Sequence, residues 1–175
     1  FHLVQDRVGC GCNNASEHKV YKFVRKLLRG HPELRVEFQW STPKVVGVGG
    51  GKLRFDIVVL RCWEGEWIPR LFLEPDGGHH FFKDFSYNGP GHSTPNAFKH
   101  DRRKERYATK RGAGMLRIDC RTIEYCNKLW KSWVRKRVRR MIRDRMPAQV
   151  HCLSHRNKYQ ESDYAKSRRK HSIDV

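Results

Sequence analysis

Several things are missing from this 175-residue chain, and each absence removes a class of protein. No run of 18 or more apolar residues occurs, so no segment is predicted to cross a bilayer as a helix. The first residues do not place a basic segment before a long apolar core, so no secretory signal is read there. The six cysteines (Cys10, Cys12, Cys62, Cys120, Cys126 and Cys152) are irregularly spaced and no pair has the usual zinc-finger spacing. They read as reduced thiols of an intracellular protein, nuclear in a eukaryotic cell. A zinc site from Cys10, Cys12, His151, Cys152 and His155 is the lesser alternative. Internal repeats are also lacking.

Acidic residues are the scarcest charge: 18 Asp and Glu stand against 37 Lys and Arg, a net +19 with neutral His. That excess is far beyond what solubility needs and implies a polyanionic partner. The cations are dispersed among Trp, Tyr and Phe along the whole chain, which favours nucleic acid over a membrane surface. The length suits one domain with a core of its own.

Periodicity orders the chain. Residues 1–15 read as a loop. Ser16 is a candidate N-cap for an amphipathic helix whose Val20, Phe23, Val24, Leu27 and Leu28 share one face. Leu34, Val36, Phe38 and Trp40 alternate with Arg35, Glu37 and Gln39 as in a half-buried strand, and the Gly-rich segment from Ser41 to Lys52 breaks the pattern. A second strand spans Leu53 to Leu60, with Asp56 on one face and Phe55 and Ile57 on the other. The turn Glu64-Gly65-Glu66 leads into a third strand from Ile68 to Asp76, giving an antiparallel hairpin. Within that strand Glu74 and Asp76 share a face, and Gly77-Gly78 then lets His79 or His80 fold back beside them.

A long loop from Phe82 to Pro95 carries Phe85 and Tyr87, aromatics suited either to stacking on bases or to local packing. Thr94-Pro95 opens a helix from Asn96 to about Arg111, and Met115 to Cys120 is a strand able to pair in parallel with the third. Residues 127–146 form a helix with Trp130, Trp133, Val134, Val138, Met141 and Ile142 inward. Its outer face, with Lys131, Arg135, Lys136, Arg139, Arg140 and Arg143, is cationic. Residues 147–175 read as a basic, flexible tail.

Together, Asp56 in an apolar strand, Glu74-Pro-Asp76-Gly-Gly-His-His80-Phe81, and His100-Asp101-Arg-Arg-Lys104 before Gly112 and Leu116-Arg117-Ile118 resemble the PD-(D/E)XK nuclease superfamily. The likeness is greatest to the very-short-patch-repair endonucleases and the homing endonucleases with the EDxHD signature, and it spans about residues 16 to 124. It implies an α/β fold with a restriction-endonuclease-like core, in the order helix, three-stranded antiparallel meander, helix, parallel strand, followed here by the basic helix. The nuclease-like domain would occupy residues 16–146.

The resemblance further implies a metal-dependent DNA endonuclease. Asp56 and Glu74 would be metal ligands, His80 the proton-transfer group, Asp101 its orienting acid and Glu17 the leading acid of the first helix. Asp76 would be a third ligand or a spare, since this sequence has no Lys there as the superfamily usually does. Phosphodiester hydrolysis by Mg²⁺ (or Mn²⁺) suits such a set of hard oxygen donors. The expected nucleic-acid contacts are Lys99, Arg102, Arg103, Lys131, Arg135, Lys136, Arg139, Arg140 and Arg143, and Phe85 and Tyr87. The alternatives are a non-catalytic nucleic-acid-binding module on the same fold, and a protein directed at RNA.

Overall fold

The computed structural model describes residues 14–77, 80 and 96–154. The expectations placed on Cys10, Cys12, His79, Phe85, Tyr87, Thr94-Pro95 and His155 lie outside these residues. The elements are α1 (Asn14–Leu27), β1 (Leu34–Val46), β2 (Lys52–Trp63), β3 (Glu66–Asp76), α2 (Ala97–Lys110), β4 (Gly114–Asp119), α3 (Cys120–Tyr125), α4 (Asn127–Ile142) and β5 (Val150–Leu153). The fold is α/β, with one five-stranded mixed sheet in the order β1-β2-β3-β4-β5. The pairs β1–β2 and β2–β3 are antiparallel, whereas β3–β4 and β4–β5 are parallel. No helix among the described residues is long and apolar enough to cross a membrane.

Helices cover both faces of the sheet. On one side α1 and α4 pack on Ile57, Val59, Leu71, Leu73, Leu116 and Ile118 through Val20, Val24, Trp130, Val134 and Val138. On the other, α2 lays Ala108 against Phe55, Val58, Leu60, Phe72 and Met115. Strands covered on both faces read as nearly continuous apolar runs, as Ile57 to Leu60 does. Pro69 is tolerated inside β3 because the pairing of β3 with β4 begins only at Leu71, so its missing N–H falls where no β4 partner stands.

The even alternation expected of β1 and β2 does not hold. Phe38 packs on the α1/α4 side, but Trp40 joins Phe55, Phe72 and Tyr107 on the α2 side. Likewise Ile57 faces α1/α4 while Phe55 faces α2, so Phe55 and Ile57 do not share a face. The cause lies between them. Gln39, with φ 56°, sits in the left-handed region opposite Asp56, between the Phe38–Ile57 and Trp40–Phe55 pairs. On β2 the Asp56 N–H turns away from the ladder and donates to Glu74 Oε1 at 3.1 Å. Both strands therefore change the face they present at the level of Asp56.

Other boundaries moved for identifiable reasons. The first helix begins at Asn14, so Ser16 lies inside it, buried, instead of capping it. β1 continues through Pro43 to Val46, and the turn beyond it is closed by Gly47 N–H donating to Gly51 O at 2.7 Å. α4 stops at Ile142, ahead of Pro147. There the Arg61 guanidinium donates to Ile142 O (2.9 Å) and to Asp144 Oδ2 (2.6 Å), satisfying an open helix end and fixing Asp144 at φ 55°. Four residues assigned to the flexible tail, Val150–Leu153, instead form β5 at the sheet edge. Too short to show a period, they are ordered by the exposed edge of β4.

The face change gives a direct test. Gln39→Val and Gln39→Gly both remove the side-chain amide, but only Val resists a positive φ. Thermal unfolding should show the Val variant less stable than the Gly variant by about 1–3 kcal/mol; equal melting temperatures would mean that the backbone at Gln39 is unstrained.

Candidate active site

The acids anticipated from sequence meet where the face change occurs. Glu74 and Asp76 project from the C-terminal end of β3, Asp56 comes from β2, Glu17 from the first turn of α1, and Asp101, Lys104 and Glu105 from the inner face of α2. Burial here is extreme for charged groups: Arg117 is 0 % exposed, Glu74 and Asp76 1 % and Asp101 2 %. Such groups remain charged only when paired and hydrogen-bonded.

Two contiguous groups result. In the first, Lys104 Nζ donates to Glu74 Oε2 at 2.6 Å while Glu74 Oε1 accepts from the Asp56 N–H. Glu17 stands by, its Oε2 accepting from Gln39 Nε2 at 2.8 Å. The half-buried Asp56 carboxylate receives no hydrogen bond among the described residues. Its pKa is pushed well above the usual carboxylate value by burial, then by the Glu74 charge, with Glu17 adding to the effect and Lys104 opposing it. Burial and the Glu74 charge also raise Glu17. Lys104 is raised above the ordinary lysine value, because attraction to Glu74 and Asp56 exceeds the cost of its burial.

In the second group Arg117, from the middle of β4, forks onto Asp76, with Nε to Oδ2 at 2.7 Å and Nη2 to Oδ1 at 2.6 Å. The same guanidinium reaches Asp101 Oδ1 at 3.1 Å and Glu105 Oε1 at 3.1 Å. His80 Nδ1 lies 3.0 Å from Asp101 Oδ2. We assign the proton to Nδ1, because the flanking Asp101 is held far below the usual carboxylate range by Arg117 and His80 and is an acceptor only. The imidazole pKa is raised despite burial, chiefly by Asp101 and then Asp76.

Glu17, Asp56, Glu74, His80 and Asp101 are thus brought together. Asp76 is placed differently from a free ligand: both its oxygens are taken by Arg117. Among the described residues no three His, Cys, Asp or Glu side chains are grouped to hold a metal ion, and Cys62, Cys120, Cys126 and Cys152 form no disulfide. Burial, with Asp76 nearby, pushes the Cys120 thiol up to about 12.

Two residues central to the site were not assigned roles from sequence. Lys104 stands three residues after Asp101 on α2, so both lie on one helix face, a spacing that was available as a signal. Arg117 gave a fainter one, a lone cation between Leu116 and Ile118 in a short apolar strand.

The expected nucleic-acid contacts divide between the two sides of the sheet. Lys99 and Arg103 are exposed on α2, whereas Arg102 is largely buried and paired with Glu105. On α4, Lys136, Arg139, Arg140 and Arg143 are exposed on the side away from α2, and Lys131 and Arg135 lie over the Phe23 ring. No protein-family model, curated protein or solved structure matches the chain.

Opposite stability effects are expected from two substitutions. Asp56 has a folded-state pKa above its unfolded one, so its ionisation disfavours the fold, and stability falls as pH rises through that window. Asp56→Asn should therefore raise Tm at pH 8 by about 2–4 °C and less at pH 4. Arg117→Met removes the buried cation that Asp76, Asp101 and Glu105 share and should cost about 3–5 kcal/mol. Calorimetric melting across pH checks both.

Proposed function

We propose that this chain is a metal-dependent endonuclease that hydrolyses phosphodiester bonds in DNA, on a restriction-endonuclease-like core. The observation that carries the reading is the convergence of Asp56, Glu74 and Lys104 at the point where β2 leaves the β3 ladder. Two carboxylates and one buried ammonium there match what a phosphoryl group requires: oxygen donors for a hard cation, and fixed positive charge for the charge that develops.

Mg²⁺ or Mn²⁺ suits this donor set. Magnesium is held by one or two carboxylates and otherwise by waters and phosphate oxygens, so a third protein ligand is unnecessary. Asp56 and Glu74 would hold it, and it would supply a nucleophilic water and neutralise phosphoryl charge. Asp76 is left out of that role by its fork with Arg117.

The chain's own groups do the rest. Lys104 fixes Glu74 and places its ammonium beside the reacting phosphate. Asp101 accepts a hydrogen bond from the Nδ1–H of His80, which leaves Nε2 as the proton-transfer atom, and its charge raises the basicity of the ring. Glu17, held by Gln39, adds a third negative charge that favours cation binding next to Asp56.

One observation favours the second reading, a nucleic-acid-binding module without catalysis: both Glu74 oxygens already accept hydrogen bonds, from Asp56 N–H and Lys104. Calorimetric titration with Mn²⁺ separates the two, since only the enzyme requires uptake that disappears in Asp56→Ala.

Plasmid incubated with Mg²⁺ or Mn²⁺ should be nicked or cut by the wild-type chain and left intact by Asp56→Ala and Glu74→Ala. His80→Ala should lose about 10²–10⁴ in rate, and Lys104→Ala about 10²–10³. Undiminished cleavage by Asp56→Ala would defeat the assignment, and cleavage of RNA alone would redirect it.

A further inference from the structure

We infer that the outer face of α2, together with the end of β1, is the surface that grips the sugar-phosphate backbone of a DNA duplex, and that α4 is not. The inference rests on the hydrolase reading only for the identity of the partner.

α2 has two faces of opposite charge. Its buried residues include Asp101 and Glu105, which meet Arg117, while its exposed positions are Lys99, Arg103, Arg106 and Lys110. These four fall at i, i+4, i+7 and i+11, one stripe along the helix. At 1.5 Å per residue the stripe is about 16 Å long, and one strand of a duplex presents about five phosphates over that length at 3.4 Å each.

The relief of the surface fits the same partner. Lys99, Arg102, Arg103 and Arg106 line a hollow of about 230 Å³. A second, of about 320 Å³, runs between α2 and β1 and is lined by Lys44, Val45, Val46, Arg103, Arg106, Tyr107 and Lys110. The two walls are tied together. Arg103 Nη1 donates to Val46 O at 2.7 Å, and the Val48 N–H donates to His100 Nε2 at 3.0 Å. A Cβ at Gly47 would stand 3.1 Å from that imidazole nitrogen, so the turn reaches the helix because glycine is there. The two walls are thereby held at a fixed separation before any partner arrives, which lowers the ordering cost of binding.

Position links the stripe to the site. Lys104, on the inner face of the same helix, holds Glu74, so one helix carries both the outer stripe and a residue of the site. α4 stands across the sheet, where part of its charge covers aromatic surface: Lys131 and Arg135 lie over Phe23, and the Arg137 guanidinium is 3.7 Å from the centre of the Trp133 ring. A duplex is favoured over a single strand because Tyr107, the aromatic in the hollow's wall, is packed against Phe55 and Phe72. Single-strand sites use free rings on which bases stack. That the duplex is DNA and not RNA rests on the hydrolase reading.

The test is the salt dependence of binding to a fluorescein-labelled 20-base-pair DNA duplex of arbitrary sequence, measured by anisotropy in EDTA so that cleavage plays no part. Lys99→Gln/Arg106→Gln/Lys110→Gln should reduce the slope of log K against log salt by about two to three. Arg135→Gln/Lys136→Gln/Arg139→Gln/Arg140→Gln should leave it unchanged. Circular dichroism of each variant secures the fold, and Arg106→Gln alone, expected to reduce the slope by about one, serves should the triple variant not fold. The inference is overturned if the α4 variant takes the loss, if the α2 variants keep the wild-type slope, if no duplex binds, or if an RNA duplex or single strand of the same sequence binds more tightly. Binding through α2 without Mg²⁺-dependent cleavage would remove the hydrolase reading and leave this one standing. Cleavage with an α2-independent slope would do the reverse.

Discussion

The fork of Arg117 on Asp76 is the interaction on which the site end of the molecule depends. A guanidinium without any solvent exposure is tolerable only if carboxylates surround it, and here they arrive from two elements: Asp76 from β3, and Asp101 and Glu105 from α2. Arg117 itself belongs to β4, paired opposite Glu74 in the parallel register. One buried cation therefore sets the height of α2 over the sheet. That height brings Lys104 to Glu74 and Asp101 to His80.

Charge on α2 is sorted by face, and the sorting has mechanical consequences. Acids that turn inward find Arg117, which keeps them charged in spite of burial, and the exposed positions of the helix are left cationic. Lys104 lies at the border between these environments, close enough to Glu74 and Asp56 to stay protonated in spite of burial. Asp56 experiences the reverse: burial and the neighbouring acids all press toward its neutral form, and Lys104 opposes them only in part. Strain in the electrostatics and strain in the backbone coincide, since the left-handed Gln39 lies directly across the strand pair from Asp56.

Much of the architecture was legible because it is written in local periods. The amphipathic faces of α1 and α4, the β2–β3 hairpin, with Glu64 and Gly65 both at positive φ, and the helical crossover to β4 each follow from neighbouring residues. The acids were legible for a related reason, since a charge such as Asp56 within Leu53 to Leu60 demands a partner. What escaped were features with no local cause. The face change in β1 depends on Gln39 meeting Glu17 from another element. β5 depends on an edge offered by β4, and the end of α4 depends on Arg61, some 80 positions earlier.

By itself the sequence determined the order of α1, the first three strands, α2, β4 and α4, the overwhelming positive charge and most of the acids that meet at the site, because each is set by composition or by spacings shorter than one turn or one strand. Tertiary structure alone decided how those charges are shared. It took Asp76 out of the free acids and gave it to Arg117, drew Lys104 to Glu74, and sent the cations of α2 and α4 to opposite sides of the sheet. The reason is physical: a buried charge is stabilised by whichever opposite charge the fold brings within hydrogen-bond reach. For Arg117 and Asp76 that neighbour is 41 residues away.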